Sequence, residues 1–153
     1  MIKNDVGFIL PSLKNEEQAN LMCKLIKMLI DNNPKTQFCA FNQHCDLIDT
    51  SQVPLMPISH ARYFIGDLFV FDFPSLIIAV NFPTAKNIYY FTNATPWSTS
   101  YNEYESWANI FSKNNLKVIS NSEDICEIYN LMWQNCLGTI KELNYETILS
   151  VLR

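Results

Sequence analysis

The sequence predicts an α/β domain, a single doubly wound and mainly parallel sheet of about five or six strands with helices on both faces, Rossmann-like in layout. Three observations carry that expectation. Short apolar runs stopped by turn residues recur along the chain, as strands buried on both faces do. Segments between them carry apolar residues three and four apart, the period of an amphipathic helix. The 153 residues suit one domain, and no composition shift or Pro/Gly-rich linker divides residues 1–153.

The elements follow in order. Val6 to Leu10 is a buried strand halted by Pro11-Ser12. Asn15 caps a helix whose first turn holds Glu16 and Glu17 near the positive end of the dipole. Leu21, Leu25 and Leu29, with Met22 and Ile26 beside them, form its apolar stripe, and Asp31-Asn32-Asn33-Pro34 closes it. Thr36 to Phe41 is the second strand, so the opening unit is β-α-β with a right-handed crossover.

Residues 42 to 58 read as a loop with a short strand, and Ser59 to Phe64 as a helical turn. Asp67 to Phe71 is another buried strand. Pro74 to Val80 has the proline-early start of a helix, although its apolar content also suits a strand. Asn87 to Phe91 is an aromatic strand, Asn93 to Ser100 a polar loop, and Glu103 to Lys113 a helix with Trp107 and Phe111 four apart. Leu116 to Ile119 is a strand. Ser120 and Glu123 have capping-box spacing ahead of a helix reaching Trp133. Thr139 to Leu143 reads as the last strand, and Asn144 caps a closing helix with Ile148, Leu149 and Leu152.

Composition excludes several classes. Hydrophobic residues make up 48% and aromatics 13%, which is incompatible with disorder. Charged residues are only 17%, below the roughly 25% usual for globular domains, so Asn, Ser and Thr cover much of the surface, as on a protein that meets a protein partner or one with a skewed codon composition. A net charge of −4 and scattered Lys and Arg give no footprint for nucleic acid. No apolar stretch reaches the roughly 18 residues of a membrane span. Met1-Ile2-Lys3-Asn4-Asp5 shows no signal-peptide pattern. Five cysteines, an odd number without a C-x-x-C pair, read as reduced core thiols, so the expected location is the cytoplasm.

The three glycines, Gly7, Gly66 and Gly138, are too far apart for G-x-G-x-x-G or a P-loop. Backbone contact with a pyrophosphate by those devices is therefore not expected, and no cofactor is assigned. Neither H-E-x-x-H nor G-x-S-x-G occurs. His44, Cys45 and Asp46 are zinc-ligand types, but adjacent residues rarely converge on one ion, so no metal is assigned.

Ligands of open α/β sheets bind beyond the carboxyl ends of the strands. That rule selects Ser12, Asn42, Asp72, Asn93, Thr95, Trp97, Ser120 and Ser122 as binding candidates. His60, after two prolines, joins them as a ligand contact or a capping residue. The run Asn93-Ala94-Thr95-Pro96-Trp97 sets amide and hydroxyl groups beside a rigid aromatic, which suits a sugar or a peptide; Trp97 packed over a helix end is the alternative. No catalytic residue stands out.

Val6 to Ser12, Asp67 to Ala79, Asn87 to Phe91 leading to Pro96-Trp97, Lys117 to Glu123 and Ile140 to Glu146 together resemble the N-terminal Rossmann-like lobe of GT-B glycosyltransferases, especially glycosyltransferase-like proteins of tailed bacteriophages. The likeness is one of layout and short pieces over nearly the whole chain. It implies a lobe that faces the acceptor, while the donor lobe of such enzymes would begin where this chain reaches Arg153. The implied function is a non-catalytic binding or regulatory protein, phage-encoded and aimed at a host or phage protein. An acceptor-side subunit with a separate donor-binding chain, contacting a sugar or nucleotide sugar, is the second implication, and a small-molecule sensor the third.

Overall fold

The structure is a computed structural model that describes residues 2–10, 16–42, 53–99 and 104–153. Its centre is a seven-stranded sheet in the order β3-β2-β1-β4-β5-β6-β7. The strands are β1 (Val6–Ile9), β2 (Phe38–Asn42), β3 (Leu55–Pro57), β4 (Gly66–Val70), β5 (Ala85–Phe91), β6 (Leu116–Ser120) and β7 (Cys136–Thr139). Every pairing is parallel. The Rossmann-like class is therefore present, with seven strands where the sequence predicted five or six. The additional strand is accounted for at the edge, where β3, only three residues long, lies within the 42–58 segment read as a loop with a short strand, and the opposite edge strand β7 is four residues long.

The central strands β1, β2 and β4 are buried at every residue, which is why they read as unbroken apolar runs. Alternate side chains feed two cores. On one face Ile9, Phe41, Leu68, Val70, Ile88 and Val118 meet helices α2 (Phe73–Ala79), α4 (Tyr104–Phe111) and α5 (Glu123–Trp133). On the other, Val6, Phe8, Phe69, Tyr89 and Ile119 meet α1 (Glu16–Asn32) and α6 (Tyr145–Leu152). A stacked aromatic row crosses that second face, from Phe8 to Phe69 at 5.3 Å and on to Tyr89 at 4.9 Å between ring centroids.

Local rules explain the element ends. Asp72 caps α2 by accepting from Ser75 N–H at 2.7 Å, and Pro74 occupies its first turn, so Pro74 to Val80 belongs to a helix and not a strand. Asn144 caps α6 through a reciprocal box with Thr147, the cap read from sequence. Ile58–Tyr63 is a 3-10 helix where a helical turn was expected. The Asn15 cap lies outside the described residues.

Three sequence expectations are corrected. The Ser120–Glu123 capping box does not form. Ser120 is the last residue of β6, its hydroxyl accepts from Ser122 N–H at 3.1 Å, and Ser122 occupies the cap position without a side-chain cap bond. The last strand is Cys136–Thr139, not Thr139 to Leu143. The cysteines are not all thiols either, because Cys126 and Cys136 form a disulfide between α5 and β7, with Cα atoms 5.5 Å apart. Among the described residues no helix is long and apolar enough to cross a membrane.

Candidate functional site

Strand order reverses between β1 and β4, and parallel sheets present their carboxyl ends on one rim. A cleft of about 540 Å³ opens on that rim over β4 to β7. Its floor is Phe71 and Phe73 after β4, Tyr90 and Phe91 at the end of β5, and the Thr92-Asn93-Ala94 turn. Ser98 in the four-residue helix α3 (Pro96–Thr99) and Asn121 after β6 form one side, and Ile140, Lys141 and Leu143 after β7 the other. Phe71 and Phe91 stack at 5.6 Å, ending the aromatic row inside the cleft.

Hydrogen bonds fix the polar groups. Asn93 Oδ1 accepts from Asn121 N–H at 3.1 Å and so joins the β5 and β6 ends. Thr92 Oγ1 accepts from Ala94 N–H at 3.2 Å, a tight turn closed by its own side chain. Tyr129, fully buried on α5, donates its phenol to Ala94 O at 3.2 Å and props the turn from below. Thr95 and Ser98 hydroxyls pair at 3.0 Å, anchoring α3.

The phenols beneath the cleft are held neutral. Burial pushes Tyr90 up to about 12, with a hydrogen bond from Thr92 opposing and the charge of Asp72 adding to the rise. Tyr129 is raised as well, by burial first and by its neighbour Tyr90 second. Lys141 supplies the charge in the lining. The floor is therefore neutral aromatic surface with amide and hydroxyl groups at its margin, a combination that fixes a ligand by shape and a few hydrogen bonds. Among the described residues, no three His, Cys, Asp or Glu side chains come together as a metal group.

Of the sequence-selected residues, Asn93 lines the cleft. Asp72 lies between the lining residues Phe71 and Phe73 and spends its carboxylate on the α2 cap. Ser120 and Ser122 flank Asn121 and shape its turn. Thr95 holds α3, and Trp97, 54% exposed, stands on that helix outside the lining. Asn42 is buried at the end of β2, and His60 is exposed on the 3-10 helix; both are away from the cleft. Ser12 lies outside the described residues, as does the His44-Cys45-Asp46 cluster.

The selected runs Asn93 to Trp97 and Ser120 to Ser122 include the lining residues Ala94 and Asn121, whereas sequence reasoning missed Thr92, Ser98 and the wall formed by Ile140, Lys141 and Leu143. Placing the last strand three residues late hid Lys141 and Leu143 inside a supposed strand. Reading Asn144 as a helix cap and counting back to Gly138 would have exposed them as a connection.

The site and sheet together define the class, an all-parallel Rossmann-ordered α/β domain with a cleft at the carboxyl rim. No protein-family model, curated protein or solved structure matches this chain.

Proposed function

We propose that the protein is a binding or regulatory module and that the cleft over β4 to β7 holds its partner, a neutral, polar and aromatic segment of another protein. The observation that carries this is the state of the cleft's own groups. Tyr90 is buried and its phenol is pushed away from neutral pH, and the buried Tyr129 spends its phenol on Ala94 O, so both groups hold the cleft in shape and neither is tuned for proton transfer. A general acid or base needs the opposite tuning, towards the working pH. Asn93 and Asn121 hold each other at 3.1 Å, which fixes the rim in advance and lowers the entropy cost of binding. The chain's resemblance to the acceptor-facing lobe of GT-B glycosyltransferases agrees with a lobe that binds without performing transfer.

The test is affinity capture from a host lysate, with wild type compared against Asn93→Ala and Lys141→Ala. Both variants should fold, Lys141→Ala with an unchanged thermal midpoint and Asn93→Ala with a midpoint about 2–4 °C lower for the lost bond to Asn121 N–H, and both should retain less than about a tenth of the captured partner, since polar anchors in such a site are worth roughly 1–3 kcal/mol each. Stoichiometric micromolar binding of a nucleotide sugar with turnover in calorimetry would overturn the proposal in favour of a transferase subunit. Equal capture by all three proteins would remove the cleft as the binding surface.

A further inference from the structure

We infer that the Cys126–Cys136 disulfide is a redox-controlled latch on the cleft wall, oxidised to hold β7 and the Ile140–Leu143 connection in place and reduced to release them. Its regulatory consequence rests on the cleft being the binding site; the latch itself does not.

The geometry points to β7 as the strand most dependent on a tie. It is four residues long, lies at the sheet edge, and pairs only with β6 among the described strands. That pairing slips in register between Val118 and Ile119. Alternate residues of β7 are exposed, and Leu137 is more than half so, leaving little burial to hold the strand. Gly138 sits at φ 152°, outside the region that favours a regular strand. Against these weaknesses stand the short ladder to β6, flanked by bonds from Val118 N–H to Asn135 O at 2.8 Å and from Ile140 N–H to Ser120 O at 2.7 Å, a bond from Cys136 N–H to the Asn130 side chain at 2.8 Å, and the disulfide. Segments so lightly held open locally at low cost.

What β7 carries is the cleft wall. Ile140, Lys141 and Leu143 follow it directly, and Ile140 and Leu143 each also line a neighbouring groove on either side. Loss of β7 would therefore move the face opposite Asn93 and Asn121 while leaving those two residues in place.

The chemistry balances by thiol–disulfide exchange. One low-molecular-weight disulfide accepts two electrons as the Cys126 and Cys136 thiols lose two electrons and two protons, yielding one protein disulfide and two small thiols by way of a mixed disulfide. A small dithiol reverses it. Cys39 does not compete, being buried in β2 with its thiol pushed up to about 12 by burial and by the charge of Asp5.

The test is hydrogen exchange read by mass spectrometry on wild-type protein, equilibrated with glutathione disulfide or with dithiothreitol. Closing a loop with a sequence separation of 10 restrains opening about a hundredfold, so amides of 137–143 should exchange about a hundredfold faster after reduction. Amides of β1 and β4, which open only with the whole domain, report any global loss on reduction, and the acceleration at 137–143 should appear in full even where those core amides still exchange too slowly to follow. Cys126→Ser should exchange like the reduced protein in both conditions, and the wild-type comparison stands even if that variant folds poorly. Equal exchange of 137–143 in both states, or failure of the bond to form in glutathione disulfide, overturns the latch. A clear exchange difference with equal capture by oxidised and reduced bait overturns only its control of binding. Loss of all capture in both states would instead count against the function proposed above.

Discussion

Gly66→Ala tests how the buried centre of the sheet is built. Gly66 opens β4, the strand inserted between β1 and β5, and the register against β5 shifts between Gly66 and Asp67. A Cβ at Gly66 would overlap the Asp5 carbonyl oxygen and stand 2.8 Å from Phe64 Cε1. The carbonyl cannot turn aside without cost, because it accepts the Asp67 N–H bond at 2.9 Å. Moving β4 instead disturbs the Asp67 side chain, which is 4% exposed and held by Asn87 Nδ2 at 2.7 Å and Asn4 Nδ2 at 3.1 Å. Overpacking costs about 1–3 kcal/mol, and a weakened buried hydrogen bond about 1 kcal/mol more. The expected loss is about 3 kcal/mol, or about 6–12 °C in Tm for a chain of this length. Urea unfolding followed by circular dichroism should show a lower midpoint with an unchanged slope. Gly138→Ala is the control, since nothing lies within 4 Å of its added Cβ and only the positive φ of 152° is strained. That variant should lose about 1 kcal/mol. A Gly66→Ala loss below about 0.5 kcal/mol, or below that of Gly138→Ala, would refute the steric reasoning.

Two further outcomes follow from the phenols. Tyr129→Phe removes the donor to Ala94 O and should cost about 1 kcal/mol in urea unfolding, with faster hydrogen exchange confined to residues 92–98; no change in that segment would mean Tyr129 does not hold the turn. Stability should also fall in alkali. The folded state keeps protons on Cys39 and Tyr90 up to about 12, whereas the unfolded chain releases them near 9.0 and 10.0, so this contribution is complete below pH 9 and disappears as pH rises to about 12. Urea midpoints measured across that window should decline steadily, and a flat profile would contradict the burial of these groups.

How much was legible in the sequence depended on burial. Strands β1, β2 and β4 were plain because both faces are covered, and the α1 stripe because Ile26 and Leu29 dock on one core. Cys136-Leu137-Gly138-Thr139 left no such trace, being half exposed at an edge and interrupted by a glycine. The disulfide was illegible for a different reason. Five cysteines, an odd number, do not specify a pair, and Cys126 meets Cys136 only because the α5–β7 turn folds back through Gln134 at φ 55°. The rim rule pointed to Asn93 and the Ser120–Ser122 turn, but it could not supply a wall contributed by a strand placed three residues late. Asp72 shows the reverse problem, a carboxylate at the rim that reads as chemistry and serves as a helix cap.

The cleft's position follows from the return path of the chain. After β7 the chain joins α6, which packs with α1 beneath the Val6–Phe8–Phe69 face, while α5 lies under the opposite face. The connection must therefore pass over the carboxyl rim. From β7 back to β4 is three strand spacings, about 14 Å. The residues from Thr139 to Tyr145 reach about 20 Å when extended. The connection is short, with Ile140 bonded to Ser120 at one end and the Asn144–Thr147 box fixing the other. Leu143 is carried across to Phe71 and Phe91 as a result, and Lys141 is left on the span between. The same shortness couples β7 to the cleft. A short connection anchored at both ends follows its anchors, so the position of the wall depends on what holds Cys136 in the sheet.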